Sequence, residues 1–254
     1  MTKRKIETYM MKRKIITVLL IISIISTCVC GGVIYRNYRE DVAADAALEE
    51  IQEMKPVVPD TDSNVTEEQL PLMEFDTLKE SNSDIIAWLT VPDTKIDYPI
   101  VQAKDNDFYL LRDVKKRSNK NGTLFLDYHA NAGFIDFNNV IYGHHMESGK
   151  MFQNLIKFKE KTFWDATLAA TLYTSEYTYR LEFFAVAVVR QDSKLYEYVF
   201  ESPSDREAHI ANIYSEAKFS RDIGMTERDR IIALSTCSYE FKDARTIVFA
   251  RLGE

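Results

Sequence analysis

The stretch RIIALSTCSYEFKDARTIVFARL (230–252) decides the reading of the fold. Two apolar runs, RIIALST (230–236) and ARTIVFARL (244–252), are rich in β-branched and aromatic residues, and each has the length of a strand. Cys237 closes the first run, Arg245 stands at the opening of the second, and SYEFKDA (238–244) lies between them. Paired antiparallel, the two strands would bring Cys237 and Arg245 to one hairpin mouth with their side chains facing one site. A slip of one residue would turn the arginine away.

The pattern continues outward in IIAWLTV (85–91), TLFLDY (123–128), NVIYG (139–143), TLAATLYT (167–174) and TYRLEFFAVAVVR (178–190). Several of these alternate, as in Tyr179, Leu181 and Phe183. Many short strands separated by turn chemistry predict a mainly β domain, an antiparallel barrel or sandwich. Two helices interrupt it. MFQNLIKFKEK (151–161) is opened by Ser148 or Gly149, with Phe152, Leu155, Ile156 and Phe158 mostly on one side. Further on, Ser204 and Glu207 have capping-box spacing ahead of Ile210, Ile213, Tyr214 and Ala217 at i, i+3, i+4, i+7. That helix precedes the cysteine strand and is placed to pack beside its site.

The chain has 254 residues, 46% hydrophobic and 28% charged, with a net charge of −7, which places it among globular proteins and excludes wholesale disorder. The charge is uneven. Residues 1–14 hold six bases and one acid, a sum of +5, which leaves −12 for the other 240 residues. An acidic body lacks the basic face that nucleic-acid binding needs.

Ile15–Tyr35, IITVLLIISIISTCVCGGVIY, is 21 residues without a charge, and at about 1.5 Å per residue it spans roughly the hydrocarbon thickness of a bilayer. The preceding basic cluster predicts a cytoplasmic N-terminus and an extracellular body. A cleaved signal peptide would have a shorter apolar core and small residues at a cleavage site, and a lipoprotein box ending at Cys28 would not normally carry Thr27. The predicted organisation is a basic tail (1–14), a membrane anchor (15–35), a helical stalk and linker (36–65) and a catalytic domain (66–254). RNYREDVAADAALEEIQEMK (36–55) forms the helix, and the breaker-rich stretch with Pro56, Pro59, Asp60, Asp62, Ser63 and Asn64 forms the linker.

Cys28 and Cys30 lie in the anchor, so the body holds the single thiol of Cys237 and no internal disulfide. Such a thiol is inert core unless a base and an orienting group accompany it. There are four histidines. His209 lies among charged neighbours on the second helix and is read as solvent-facing, and His129 in HANAG as a surface residue. His144 and His145 follow the strand NVIYG, where Gly143 allows a tight exit, and either is placed to project into a cleft.

The segments NNVIYGHHM (138–146), LSTC (234–237) and DARTIVFARL (243–252) resemble the signatures of sortases, the membrane-anchored cysteine transpeptidases of Gram-positive bacteria. The resemblance covers most of residues 70–254, including IIAWLTVPDTKIDYPIVQAKDNDFYL (85–110), NGTLFLDY (121–128) and GKMFQNL (149–155), and is closest to class B. It implies a closed sortase-type β-barrel of about eight strands, with N-terminal helices and a helix inserted before the cysteine-bearing strand. It assigns catalysis to His144, Cys237 and Arg245, taking the histidine that directly follows the glycine.

The implied reaction has the Cys237 thiolate attack a threonine carbonyl in a C-terminal sorting motif of the NPxTG or SPxTG kind. His144 protonates the leaving amine and then activates an amine of the cell-wall precursor, and Arg245 binds the oxyanion or the substrate backbone. Tyr142, Ser235 and Thr236 are candidate substrate-binding residues, and Glu240 and Asp243 candidate partners of Arg245. No metal cluster, phosphate loop or dinucleotide fingerprint occurs, and no cofactor is implied. The partners are surface proteins bearing the motif, the precursor amine and the bilayer. The alternatives are a pilus-polymerising sortase, a cysteine hydrolase and an inactive membrane-tethered binding barrel.

Overall fold

The computed structural model describes residues 3–53, 55, 75–146 and 149–253. The linker residues from Pro56 to Asn64, the expected domain start near Thr66 and the candidate cap Ser148 lie outside these. The chain divides into two units, Met1–Asp45 and Ala46–Glu254. Helix α1 (Lys3–Glu53) supplies the first, and from Met10 to Ile34 its large apolar side chains stand exposed, among them Leu19 at 59% and Ile24 at 62%. This helix is long and apolar enough to cross a membrane. In water such a surface would demand a cover.

The last turns of α1 belong to the second unit. Ala47 and Ile51 are buried against Phe75, Leu78, Ile85, Trp88 and Tyr109. Lys55 Nζ donates to Thr90 Oγ1 at 3.0 Å and pairs with Asp97, and Gln52 Nε2 donates to the Asp97 carbonyl at 3.0 Å. The Ala- and Glu-rich composition that reads as a free stalk conceals an apolar edge at 47, 48 and 51 that is one helical turn long. A short helix α2 (Asp76–Ser81) follows, with Leu78 inward.

Nine strands come next: β1 (Ile85–Thr90), β2 (Asp97–Val101), β3 (Leu124–Leu126), β4 (Asn138–Tyr142), β5 (Ala169–Thr174), β6 (Thr178–Arg190), β7 (Ala217–Ser220), β8 (Arg230–Cys237) and β9 (Ala244–Leu252). Eight of them close in the order β5-β1-β2-β3-β4-β8-β9-β6, with β6 returning to β5, and β7 attaches to β6 outside the closed ring. The barrel is mixed: β2–β3 and β4–β8 are parallel. The antiparallel expectation fails there because long connections intervene, residues 102–123 in the first case, and a parallel pair needs a crossover of a dozen or more residues. β2 escapes a pattern reading because it contains Pro99. That proline pairs with Trp88 of β1 but precedes Ile100, where pairing with β3 begins, so no ladder bond on that side is lost.

β8 and β9 are buried on both faces, which is why they read as continuous apolar runs. Ile232, Leu234, Val248 and Ala250 point into the barrel with Phe183 and Leu124. Ile231, Ala233, Ile247 and Phe249 point outward beneath α4 (Pro203–Glu216), which contributes Ile210 and Ile213.

Both expected helices differ in detail. Phe152–Lys159 is a 3₁₀ helix, followed by α3 (Lys161–Ala166). Three residues per turn align Phe152, Leu155 and Phe158, all buried, and leave Ile156 at the edge. The capping box of α4 is Ser202 with Asp205, and Pro203 occupies the first turn, so the helix begins ahead of the Ser204–Glu207 pair. His209 is 2% exposed, packed against Phe137 and Phe200, with no hydrogen-bond partner on either ring nitrogen. Lying four residues before Ile213, it shares the inward face, and its burial pushes its pKa down to about 4.

Candidate active site

The register of β8 and β9 sets Cys237 directly opposite Arg245. Side chains of paired residues share a face, so thiol and guanidinium lie together on the outer face of the barrel, with Ser235 two residues before the cysteine. Cys237 is a free, half-buried thiol. Arg245 Nη1 donates to the Ala244 carbonyl at 3.0 Å and Nη2 to Gln191 Oε1 at 3.1 Å, and no carboxylate pairs with it among the described residues. Its charge is held in place by neutral acceptors and stays open to an anion.

Neither of the acids expected near it pairs with it among the described residues. Glu240 pairs with Lys159, and although burial opposes ionisation, that ammonium keeps the carboxyl down at about 2. Asp243 sits in the left-handed region at φ 60°, and its main-chain carbonyl accepts from Gln191 N at 3.0 Å.

The histidines arrive on β4, parallel to β8 with Tyr142 beside Ser235. Gly143 N donates to the Ser235 carbonyl at 3.1 Å, so the ladder runs on and His144 comes level with Cys237. A side chain at 143 has no room, since a Cβ there would stand 2.3 Å from Leu124 Cδ2 and 2.8 Å from the Phe152 ring. His144 Nε2 donates to the Leu110 carbonyl at 2.7 Å, and His145 Nδ1 to the Cys237 carbonyl at 3.1 Å. The ring of His145 also meets Tyr239 edge-on at 5.1 Å. His144 thus stands one strand away from Cys237, and His145 holds the main chain of the cysteine.

Beside them the outer face forms a tyrosine-lined wall. Tyr142 OH donates to Asp127 Oδ2 at 3.1 Å, Tyr196 OH and Ser235 Oγ are 2.8 Å apart, and the two tyrosine rings stack at 6.1 Å. Burial raises both phenols, Tyr196 to about 12, so they remain neutral hydroxyls near the thiol. Thr236 does not join this wall. Strand alternation turns it into the barrel opposite Thr246, and both hydroxyls are buried without a partner. His129 lies apart, paired with Asp127 at 2.8 Å and stacked on Tyr198 at 4.0 Å.

Sequence reasoning missed Tyr196, Asp127 and Gln191. Tyr196 lies in a 3₁₀ turn, Lys194–Tyr196, between β6 and α4, where the one signal is Ser193, whose side chain accepts from Leu195 N. Among the described residues no three His, Cys, Asp or Glu side chains come together as a metal site. A cleft of about 600 Å³ lined by Lys79, Tyr177, Tyr179 and Arg230 lies at the far end of β8 from Cys237 and contains none of these groups. A thiol and an open guanidinium on one face, with the His144 imidazole on the neighbouring strand, can act chemically as a nucleophile, an oxyanion stabiliser and a proton carrier.

A sortase-domain family model matches residues 89–253. The chain is 35% identical over 181 residues to sortase B of Listeria monocytogenes, covering 70% of this chain and 74% of that protein. The crystal structure of Clostridium perfringens sortase B has a TM-score of 0.68 at 34% identity, covering 71% of this chain and 100% of that one. Sortase B of Bacillus anthracis, solved in complex with AAEK1, has a TM-score of 0.73 at 28% identity, covering 85% and 99%. The family match runs from within β1 to the end of β9 and contains every residue of the site, and the chain belongs to the sortase family of cysteine transpeptidases, in its class B-like branch.

Proposed function

We propose that the protein cleaves a C-terminal sorting motif of the NPxTG or SPxTG kind after its threonine and joins the new carboxyl end to an amine of the peptidoglycan precursor. The observation that carries this reading is the register that sets Cys237 opposite Arg245 and brings His144 level with them. The Cys237 thiolate attacks the threonine carbonyl, and the oxyanion that forms is met by the Arg245 guanidinium. The C–N bond breaks as protonated His144 gives its proton to the departing amine, leaving a thioester on Cys237. The incoming amine, deprotonated by His144, attacks the thioester, the C–S bond breaks, and the thiolate is restored beside the reprotonated imidazole.

The thioester keeps enough free energy to form a new amide without a nucleotide. Tyr142 and Ser235 line the approach for the substrate backbone. Residues 15–35 anchor the enzyme in the membrane with the basic tail inside and the catalytic unit outside, where sorting substrates and wall precursors meet.

The test incubates the full chain in detergent with NPxT-G, SPxT-G and LPxT-G peptides, with and without a precursor-like amine. Wild type should cleave one motif after threonine and form the amide product. Cys237→Ala, His144→Ala and Arg245→Ala should each be nearly inactive. Activity retained by Cys237→Ala sinks the proposal, and hydrolysis indifferent to added amine makes the protein a hydrolase instead.

A further inference from the structure

We propose that the main-chain carbonyl of Leu110, given room by Gly122, is the positioning group of the catalytic histidine. It fixes His144 Nε2 as a donor and leaves Nδ1 as the nitrogen that exchanges protons with the thiol and the substrate amines. The proposal rests on the reading of His144 as acid and base. A carbonyl oxygen has only lone pairs, so at 2.7 Å the Nε2 atom must carry the hydrogen, in the neutral ring and in the imidazolium alike. One nitrogen then remains for chemistry.

In a Ser-His-Asp arrangement a carboxylate holds the histidine and stabilises its charged form. Here the acids point elsewhere: Glu240 to Lys159, and Asp127 to Tyr142, Asn106 and His129. A neutral acceptor orients the ring without adding a charge to the site.

The crossover between β2 and β3 is built to present this carbonyl. The peptide is tied on both sides of it, since Thr123 N donates to the Tyr109 carbonyl at 3.1 Å and Asn119 N to the Leu111 carbonyl at 2.9 Å. Gly122 completes the turn at φ 61°, and its N–H donates to the Asn119 carbonyl at 3.2 Å. A Cβ on Gly122 would stand 2.7 Å from the Leu110 oxygen and 2.9 Å from His144 Cδ2, so any side chain displaces the acceptor, the ring or both. His145 is the mirror case: its Nδ1 is the donor, to the Cys237 carbonyl, and its Nε2 is left over. Two neighbouring histidines are thereby held in opposite tautomers.

The experiment reads the tautomers by nitrogen-15 correlation spectroscopy of the full chain in detergent micelles, with labelled histidine, at a pH where the rings are neutral. His144 should appear as the Nε2–H form and His145 as the Nδ1–H form; His144 in the Nδ1–H form overturns the proposal. Gly122→Ala and Gly122→Asn provide the kinetic arm. Asparagine tolerates a positive φ but still carries a Cβ, so both variants should lose about 10²-fold in kcat, the scale of an ångström-level misplacement, with KM little changed.

Recovery of kcat by Gly122→Asn would assign the loss to backbone strain and overturn the proposal, as would full activity in both variants. If His144→Ala turns over normally, the acid–base reading fails and this proposal with it. If His144→Ala is dead but the tautomer is reversed, only the positioning role falls.

Discussion

Replacing Gly143 with alanine adds one methyl group at the point where β4 hands the chain to the histidines. That methyl would lie 2.3 Å from Leu124 Cδ2 and 2.8 Å from two atoms of the Phe152 ring, and both neighbours are 0% exposed. Neither has free space to retreat into, because Leu124 faces the barrel interior and Phe152 begins the buried stripe of the 3₁₀ helix. Overpacking of this kind costs about 1–3 kcal/mol, or roughly 2–12 °C in thermal midpoint for a domain of this size.

The strain is relieved most easily by lifting the end of β4, which carries His144 off the level of Cys237. A shift of about 1 Å there costs about 10²-fold in turnover. The assay is kcat/KM on the cleaved sorting peptide, normalised to the folded fraction, alongside a thermal melt. A double variant with Leu124→Ala removes the closer contact, and its stability loss should be smaller than the two single losses combined. A Gly143→Ala protein with wild-type melting and turnover would refute the packing argument, and strict additivity in the double variant would refute the role of Leu124.

Two other outcomes follow from buried polar groups. His209 is held neutral at about 4 against an ordinary imidazole value of 6.5, so between those values the unfolded chain binds the extra proton. Its contribution is therefore fully present above pH ~6.5 and is lost as pH falls towards 4, about 3 kcal/mol in all. Melts at pH 4.5 and 7.5 should differ less in His209→Met than in wild type; an equal difference contradicts the assignment. Tyr196→Phe should cost about 1 kcal/mol by depriving Ser235 of its partner. In denaturant titrations the loss should shrink in a Ser235→Ala background, and an unchanged loss there would mean that the hydrogen bond contributes nothing.

Strands buried on both faces are the most legible part of the sequence. RIIALST and ARTIVFARL contain few polar residues to blur their bounds, and the hairpin between them places Cys237 and Arg245 at its mouth. Other elements depend on partners distant in sequence. Pro99 disguises β2 because its tolerance depends on where β3 begins. The spacing of Phe152, Leu155 and Phe158 fits a period of three better than 3.6, a difference that a short window hides. His209 reads as exposed among charged neighbours, and only Phe137 and Phe200 closing over it reveal the buried face. The Ser193 cap marks the turn of Tyr196 but not its role, and Asp127 has no local signal, since their significance is a hydroxyl and a carboxylate reaching the outer face of β4 and β8 from loops distant in sequence. The same holds for the Leu110 carbonyl, because a main-chain group leaves no trace in residue type.

Cys237 and Arg245 belong to the paired strands, and the connection between them, residues 238–243, carries neither. The spacing of thiol and guanidinium is therefore set by the ladder between the strands. Tyr239 and Phe241 stand exposed at this hairpin tip, so exchanging them would change which molecules meet the thiol while the ladder stays in place. A ladder of main-chain hydrogen bonds thus separates the placement of the reacting groups from the surface that surrounds them.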